Sequence, residues 1–229
     1  MEKWGKAHAC HCKMEMTKLK KLRAYLKENP HLYYILFVPA FLLCFFSLEK
    51  YIGPEQDYWS VYSPLDEHIP FIEYFVIPYY LWYPLLFSTG LILLFVDIPG
   101  FKKYMLFLII SFGGALAFCL LVPNGQDLRP ESFPRSNIFS FLVELMYSMD
   151  TNTNVFPSMH VLGSVAAAAA VFKSEKTQAL RPLWLLLAIL ISASTVFIKQ
   201  HSILDVLGAL VLALPIYMAL YIRGKGEGK

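Results

Sequence analysis

Charged side chains are scarce in this chain of 229 residues: Asp, Glu, Lys and Arg make up 16%, against 57% apolar residues. A water-facing globular surface is therefore not what the sequence specifies. Cysteine is nearly absent too, with 4 residues, and these do not read as a disulfide framework. Cys10 and Cys12 fall in a polar N-terminal tail on the reducing side of a membrane. Cys44 and Cys119 fall near the outer ends of apolar runs and read as buried thiols. The run His8-Ala9-Cys10-His11-Cys12 is too compact for the common zinc-finger spacings. Polar–apolar alternation is missing from the apolar blocks, which excludes a strand-built barrel. There is no internal repeat, no low-complexity tract and nothing that marks a second domain. No cleavable signal is visible either: roughly 30 mostly polar residues precede the first apolar run, which is expected to act as the insertion signal and stay.

What the sequence does hold is six apolar blocks, at about 32–48, 74–96, 104–122, 157–172, 182–198 and 203–222. A helical crossing takes roughly 20 residues, with a working range near 17–25. The fourth block is short, and its Gly163, Ser164 and alanines 166–170 suit close packing against neighbouring helices rather than lipid. Placing the N-terminus, the loops at 101–104 and 173–181 and the C-terminal tail in the cytoplasm puts 16 of the 20 Lys and Arg residues on that side. Lys50, Arg129, Arg135 and Lys199 remain outside. By the positive-inside rule, the expected fold is an all-α integral membrane protein with six transmembrane helices, N-in and C-in. Residues 1–30 are expected as a cytoplasmic basic tail, 31–223 as a six-span membrane domain and 224–229 as a second cytoplasmic tail. The net charge of +3 suits a cytoplasmic face against anionic headgroups and gives no sign of a nucleic-acid partner.

Residues 14–27 set Leu19, Leu22, Tyr25 and Leu26 among five lysines or arginines. That pattern reads as an amphipathic helix on the inner leaflet or as a solvated basic tail. Residues 53–75 are rich in aromatics and prolines (Tyr58, Trp59, Tyr62, Pro64, Pro70) and are expected at the outer interface, as a lid or as a packed loop. His68 within them reads as interfacial rather than catalytic. Residues 124–155 form the long outer loop between the third and fourth blocks, with a short helix expected over 138–149.

Polar groups at the mouths of membrane helices are expensive and by default functional. Arg129 and His160 flank the long outer loop, while His201 and Asp205 stand at the head of the sixth block. All four reach one membrane face from three separate stretches of sequence. These residue types suit phosphoryl transfer. A neutral imidazole attacks phosphorus when a partner holds its other ring nitrogen protonated. Asp205, expected one helical turn after His201 on the same face, fixes that tautomer. His160 can protonate the departing oxygen as general acid. Arg129 offers a bidentate fork to nonbridging oxygens. The amides at the start of the fourth span, from Pro157-Ser158, offer an anion cradle, with Pro157 expected at the first helical position. Such a site neutralises developing charge without a metal. Taken alone, Lys199 is equally a snorkelling lysine.

These residues resemble the motifs of the type-2 phosphatidic acid phosphatase superfamily of membrane enzymes, which also takes in sphingomyelin and inositol phosphorylceramide synthases. Its three motifs run K-x6-R-P, P-S-G-H and S-R-x5-H-x3-D. Arg129-Pro130 matches the end of the first, and Pro157-Ser158-Met159-His160 the second with Met for Gly. Ser194, His201 and Asp205 match the third at the right spacing. The resemblance runs over about 32–222. Two positions depart: Val122 stands where the first motif has Lys, and Thr195 where the third has Arg. Both changes remove positive charge, and Lys199 is the candidate replacement. The H-x3-D-V-x2-A pattern of the sphingolipid-synthase branch is met by His201, Asp205, Val206 and Ala209.

The resemblance implies a six-span enzyme that hydrolyses a lipid phosphate or moves a phospho-headgroup onto a lipid alcohol. It implies His201 as the nucleophile forming a phosphohistidine, Asp205 as its orienter, and His160 as the acid and later the base. It also implies that Arg129, Ser158 and Lys199 hold the phosphate. Substrates would be lipid phosphates or phospholipids presented from the outer leaflet of the cell membrane, and no metal or other cofactor would be required. Two other readings fit part of the pattern. A histidine and an aspartate four apart with a distant histidine can ligate zinc, although Arg129 and Lys199 argue against a cation there. A lipid-binding or transport protein would keep the scaffold without the chemistry.

Overall fold

The computed structural model describes residues 24–52 and 57–222. The His8–Cys12 cluster and most of the basic segment 14–27 lie outside those residues. The chain divides into two compact units, Met1–Val38 and Pro39–Lys229. The first contains a 3-10 turn, Pro30–Leu36, opened by its proline.

Helices follow in the order α1 (Phe37–Tyr51), α2 (Leu65–His68), α3 (Val76–Tyr80), α4 (Trp82–Val96), α5 (Ile98–Leu121), α6 (Ile138–Met149), α7 (Met159–Lys173), α8 (Arg181–Phe197) and α9 (Ile203–Tyr217). Two short strands, β1 (Trp59–Ser60) and β2 (Asn124–Gly125), pair in parallel. With their flanking turns, 5 helical stretches among the described residues are long and apolar enough to cross a membrane: Pro30–Tyr51, Glu73–Val96, Ile98–Leu121, Glu175–Phe197 and Ile203–Ile222. The protein is all-α in its membrane part and membrane-embedded.

The fourth apolar block is not of that length. α7 has 15 residues, which at about 1.5 Å each falls short of a hydrocarbon core of roughly 30 Å. It packs against α4, α5, α8 and α9 and buries Val161, Leu162, Ala166 and Ala170 among them. Its small residues permit that placement. A Cβ added at Gly163 would stand 2.8 Å from Nε1 of Trp82. A Cβ on Gly208 of α9 would stand 2.4 Å from Cε2 of Phe156.

Side-chain caps set where the helices begin. Asp97 accepts the Gly100 amide at 3.1 Å and opens α5. Asn137 accepts from the amides of Phe139 and Ser140, so α6 starts where the short outer-loop helix was expected. Ser158 caps α7, accepting the Val161 amide at 3.5 Å. The helix therefore starts at Met159, and Pro157 precedes the cap instead of taking the first helical position. A serine oxygen that can satisfy a free amide outcompetes proline as the boundary.

The loop segments before α3, after α5 and before α7 are tied together. Trp59 donates its amide to Pro123 at 2.9 Å, and Val61 to Gly125 at 2.7 Å. Trp59 also meets Phe156 edge-on, with centroids 5.5 Å apart. The described part of the 53–75 segment is thus a packed loop. Glu49 of α1 accepts Asn154 Nδ2 at 2.9 Å and the Thr151 hydroxyl. Cys119 is buried, as expected, but Cys44 is exposed, because most of α1 is left uncovered by the rest of the protein.

Candidate active site

His201 and Asp205 meet, but not as neighbours along a helix face. His201 lies just before Ser202, the N-cap of α9. Ser202 and Asp205 form a capping box: the Leu204 amide donates to Ser202 Oγ at 3.1 Å, and the Ser202 amide to Asp205 Oδ2 at 2.9 Å. The same Oδ2 lies 3.0 Å from His201 Nδ1. The helix starts at Ile203, two residues after His201 and too late for the one-turn geometry that the spacing suggested. The carboxylate reaches the imidazole because its capping duty folds it back over the helix start. With Nδ1 so held, Nε2 is the nitrogen left for chemistry. The His201 amide donates to the Thr195 carbonyl at 3.0 Å, so the residue standing where the motif has arginine anchors the turn through its backbone.

A second carboxylate, missed from the sequence, supports this cap. Asp66 is buried. Its Oδ2 accepts the Ser202 hydroxyl at 2.6 Å, and its Oδ1 the Ile203 amide at 2.8 Å.

His160 stands in the first turn of α7, its ring flanked by Tyr79 and Trp82 at centroid distances of 4.3 Å and 4.4 Å. The His160 and His201 rings are 5.9 Å apart at 60°. His160 Nε2 is buried without a hydrogen-bond partner. The two histidines, one in the first turn of α7 and the other just before the cap of α9, therefore stand side by side. Ser158 joins the same helix heads, its amide donating to the Asp205 carbonyl at 3.2 Å. The next amides, of Met159 and His160, precede the first intrahelical bond and are the ones free to face an anion.

Arg129 is locked in place. Nη1 donates to the Tyr147 carbonyl at 3.2 Å. Nη2 donates to the Asp150 carbonyl at 2.6 Å and to Gln200 Oε1 at 2.7 Å. The guanidinium also lies 4.2 Å from the Tyr147 ring centroid. Both N–H bonds of Nη2 are committed, so the open bidentate fork expected from the sequence is not available. Nε remains, buried and unpartnered. Burial pushes the Arg129 pKa down, against the pull of the Tyr147 and Asp150 charges. Gln200 is fixed in turn by donating to the Thr151 carbonyl at 3.0 Å.

Asp150 closes α6 and faces two ways. Its carbonyl takes Arg129, and its Oδ2 accepts the Tyr79 hydroxyl at 2.6 Å. Burial pushes its carboxyl above the usual range, opposed by the Tyr79 bond and by the charges of His201 and Arg129.

Lys199 stands apart from this group. It occupies the left-handed region at φ 55° and donates Nζ to the Asp66 carbonyl at 2.6 Å. Burial lowers its pKa while Asp66 raises it. Among the described residues no contact joins its ammonium to His160, His201 or Arg129, so the expected phosphate contact is replaced by a tie to α2.

The supporting residues carry only weak marks in the sequence. Tyr79 and Trp82 sit in an aromatic run that looks like an interfacial belt. Asp150 opens the polar stretch Asp150-Thr151-Asn152-Thr153-Asn154, whose position between an apolar helix and the second motif was the available clue. Among the described residues, no group of three His, Cys, Asp or Glu is placed to hold a metal ion.

A family model, that of the PAP2 superfamily, matches residues 103–225, more than half of the chain. No curated protein and no solved structure matches it. The matched stretch carries Arg129, His160, His201 and Asp205 and spans α5 to the end of α9, and the chain belongs to the PAP2 superfamily, whose members are phosphoester hydrolases or phosphotransferases.

Proposed function

We propose that the protein is a membrane lipid-phosphate phosphatase or phosphotransferase that works through a phosphohistidine on His201, without a metal. One observation carries this reading: the two imidazoles lie 5.9 Å apart, and one of them is bonded through Nδ1 to a buried carboxylate at 3.0 Å. Neutral His201, its Nδ1–H donated to Asp205, attacks phosphorus through Nε2. The bond to the departing alcohol oxygen breaks, and His160 supplies that oxygen with a proton. His160 then takes the proton of an incoming hydroxyl, whose oxygen attacks phosphorus as the N–P bond breaks. Arg129, fixed before substrate arrives, and the first amides of α7 beside Ser158 meet the charge on the nonbridging oxygens. Lys199 supports the turn before His201 rather than the phosphate.

In this reading α7 is a short crossing enclosed by longer ones. The chain then crosses six times over residues 31–223, with both termini cytoplasmic, and 1–30 and 224–229 are tails. The site opens at the extracytoplasmic end, where a lipid phosphate enters laterally from the outer leaflet of the cell membrane. The incoming hydroxyl is water in a phosphatase and a lipid alcohol in a transferase. The absence of the motif cations at Val122 and Thr195 favours the second reading, transfer of a phospho-headgroup.

The test is purified protein in detergent with a panel of lipid phosphates and phosphodiesters, with and without an alcohol acceptor. Turnover should survive a strong chelator and vanish in His201→Ala. Free phosphate measured against new lipid ester separates hydrolysis from transfer. Full turnover in His201→Ala would remove the phosphohistidine, and binding of these lipids with no turnover of any would leave a binding or transport protein on the same scaffold.

A further inference from the structure

The pocket is unusual in its charge balance. Val122 and Thr195 stand where two cations are expected, and Lys199 is held by the Asp66 carbonyl. Arg129 remains, with three of its donors on Tyr147, Asp150 and Gln200. Beside the His201–Asp205 pair and the proton that His160 carries in the reaction, the fold sets a further carboxylate against this one fixed cation. Asp150 turns its side chain onto Tyr79, whose ring covers His160. Its carbonyl holds the arginine that is bonded to Gln200, the neighbour of His201. Closing α6 does not require that side chain: the C-terminal contact of the helix is made by the Asp150 amide to the Met146 carbonyl at 2.9 Å.

We propose that Asp150 is a specificity residue, whose carboxylate makes the site take a singly charged phosphodiester in preference to a doubly charged phosphomonoester. The proposal rests on His201 being the nucleophile. A phosphodiester brings one negative charge, which Arg129 can balance. A monoester dianion brings a second, and must either face the Asp150 carboxylate or force a proton onto it. At the separations and effective dielectric of a partly buried pocket, one extra like charge disfavours binding by roughly tenfold to a hundredfold. The chemistry is the same for both substrates. The His201 Nε2–P bond forms as the P–O bond to the lipid alcohol breaks, and that oxygen takes the His160 proton. An incoming O–H then gives its proton back to His160 as its oxygen displaces the histidine.

The experiment compares phosphatidic acid with phosphatidylglycerol of the same acyl chains in detergent micelles, reading released diacylglycerol for the full-length protein. The ratio of kcat/KM for phosphatidic acid to that for phosphatidylglycerol should rise on the order of tenfold in Asp150→Asn and stay near wild type in Asp150→Glu. Asparagine keeps an acceptor for Tyr79, so a purely structural aspartate predicts no change in the ratio. If both lipids are turned over in a His201-dependent way and the ratio does not move, the charge proposal fails and the catalytic reading stands. Turnover retained in His201→Ala, or no turnover of either lipid, sinks the catalytic reading and this proposal with it. Should Asp150→Asn fail to fold, Tyr79→Phe removes the donor that holds the carboxylate in its charged form. The ratio should then rise, and a fall would overturn the proposal.

Discussion

Ser202 donates its hydroxyl to Asp66 Oδ2 at 2.6 Å, so the cap of the helix that follows His201 is held by a carboxylate from α2. Replacing Asp66 with alanine leaves the Ser202 hydroxyl and the Ile203 amide buried without an acceptor, at about 1–3 kcal/mol for each unsatisfied group. The expected outcome is a lower thermal midpoint in detergent together with a lower kcat, since His201 is the residue before the cap. An unchanged midpoint would show that the α2 carboxylate carries no load.

Asp205→Asn tests the orienter. The amide can still cap the helix, but it no longer holds the protonated Nδ1 as a carboxylate does. The expected loss is on the order of a hundredfold or more in kcat with little change in KM, measured beside circular dichroism to confirm the fold. A mutant that loses only KM would remove Asp205 from the chemical step.

Arg129→Lys keeps the charge and discards the geometry. An ammonium cannot reach the Tyr147 and Asp150 carbonyls and Gln200 Oε1 together, nor lie flat on the Tyr147 ring. A fall in kcat/KM on the order of a hundredfold is expected, with Gln200→Ala giving a smaller fall in the same direction. Wild-type kinetics in the lysine variant would mean that charge alone suffices.

Gly208→Ala probes packing behind the site. The added Cβ would stand 2.4 Å and 2.5 Å from Cε2 and Cζ of Phe156, next to the Pro157-Ser158 cap. Overpacking of this kind costs about 1–3 kcal/mol. Shrinking the ring in a Gly208→Ala, Phe156→Leu double variant should recover part of the loss, a non-additivity expected only of touching residues. Additive midpoints would contradict the contact.

Asp150 also makes stability depend on pH. Burial raises its carboxyl pKa in the folded protein, so the folded state binds that proton more readily than the unfolded chain. Its contribution is then most favourable at acid pH and is lost as pH rises through the folded pKa. Asp150→Asn should therefore raise the thermal midpoint relative to wild type at neutral pH. The advantage should disappear near pH 4, roughly the ordinary carboxylate value. A mutant less stable than wild type at neutral pH would reverse the assigned sign.

The apolar blocks were legible because lipid imposes long uninterrupted runs, and the outer-loop helix because Asn137 and an apolar stretch announce it. Arg129, Ser158, His160, His201 and Asp205 were legible because their spacing is rigidly patterned. The manner of their meeting was not. The His201–Asp205 spacing fits a helix face as well as it fits a capping box, and only the position of Ser202 decides between them. Lys199 looked available because a sequence shows a charge and not its direction. Tyr79, Trp82, Asp66 and Asp150 come from distant segments brought together by the bundle, and the polar stretch that Asp150 opens is a weak local mark that does not say which groups it will meet.

Asp205 Oδ2 binds both the Ser202 amide and His201 Nδ1, so a single atom serves the helix start and the proposed reaction. A substitution that removes the side-chain acceptor altogether breaks both bonds at once, and with the contact to His201 it loses the cap at the start of the last helix. His160, whose Nε2 supports nothing around it, is where an inactive but intact relative should arise.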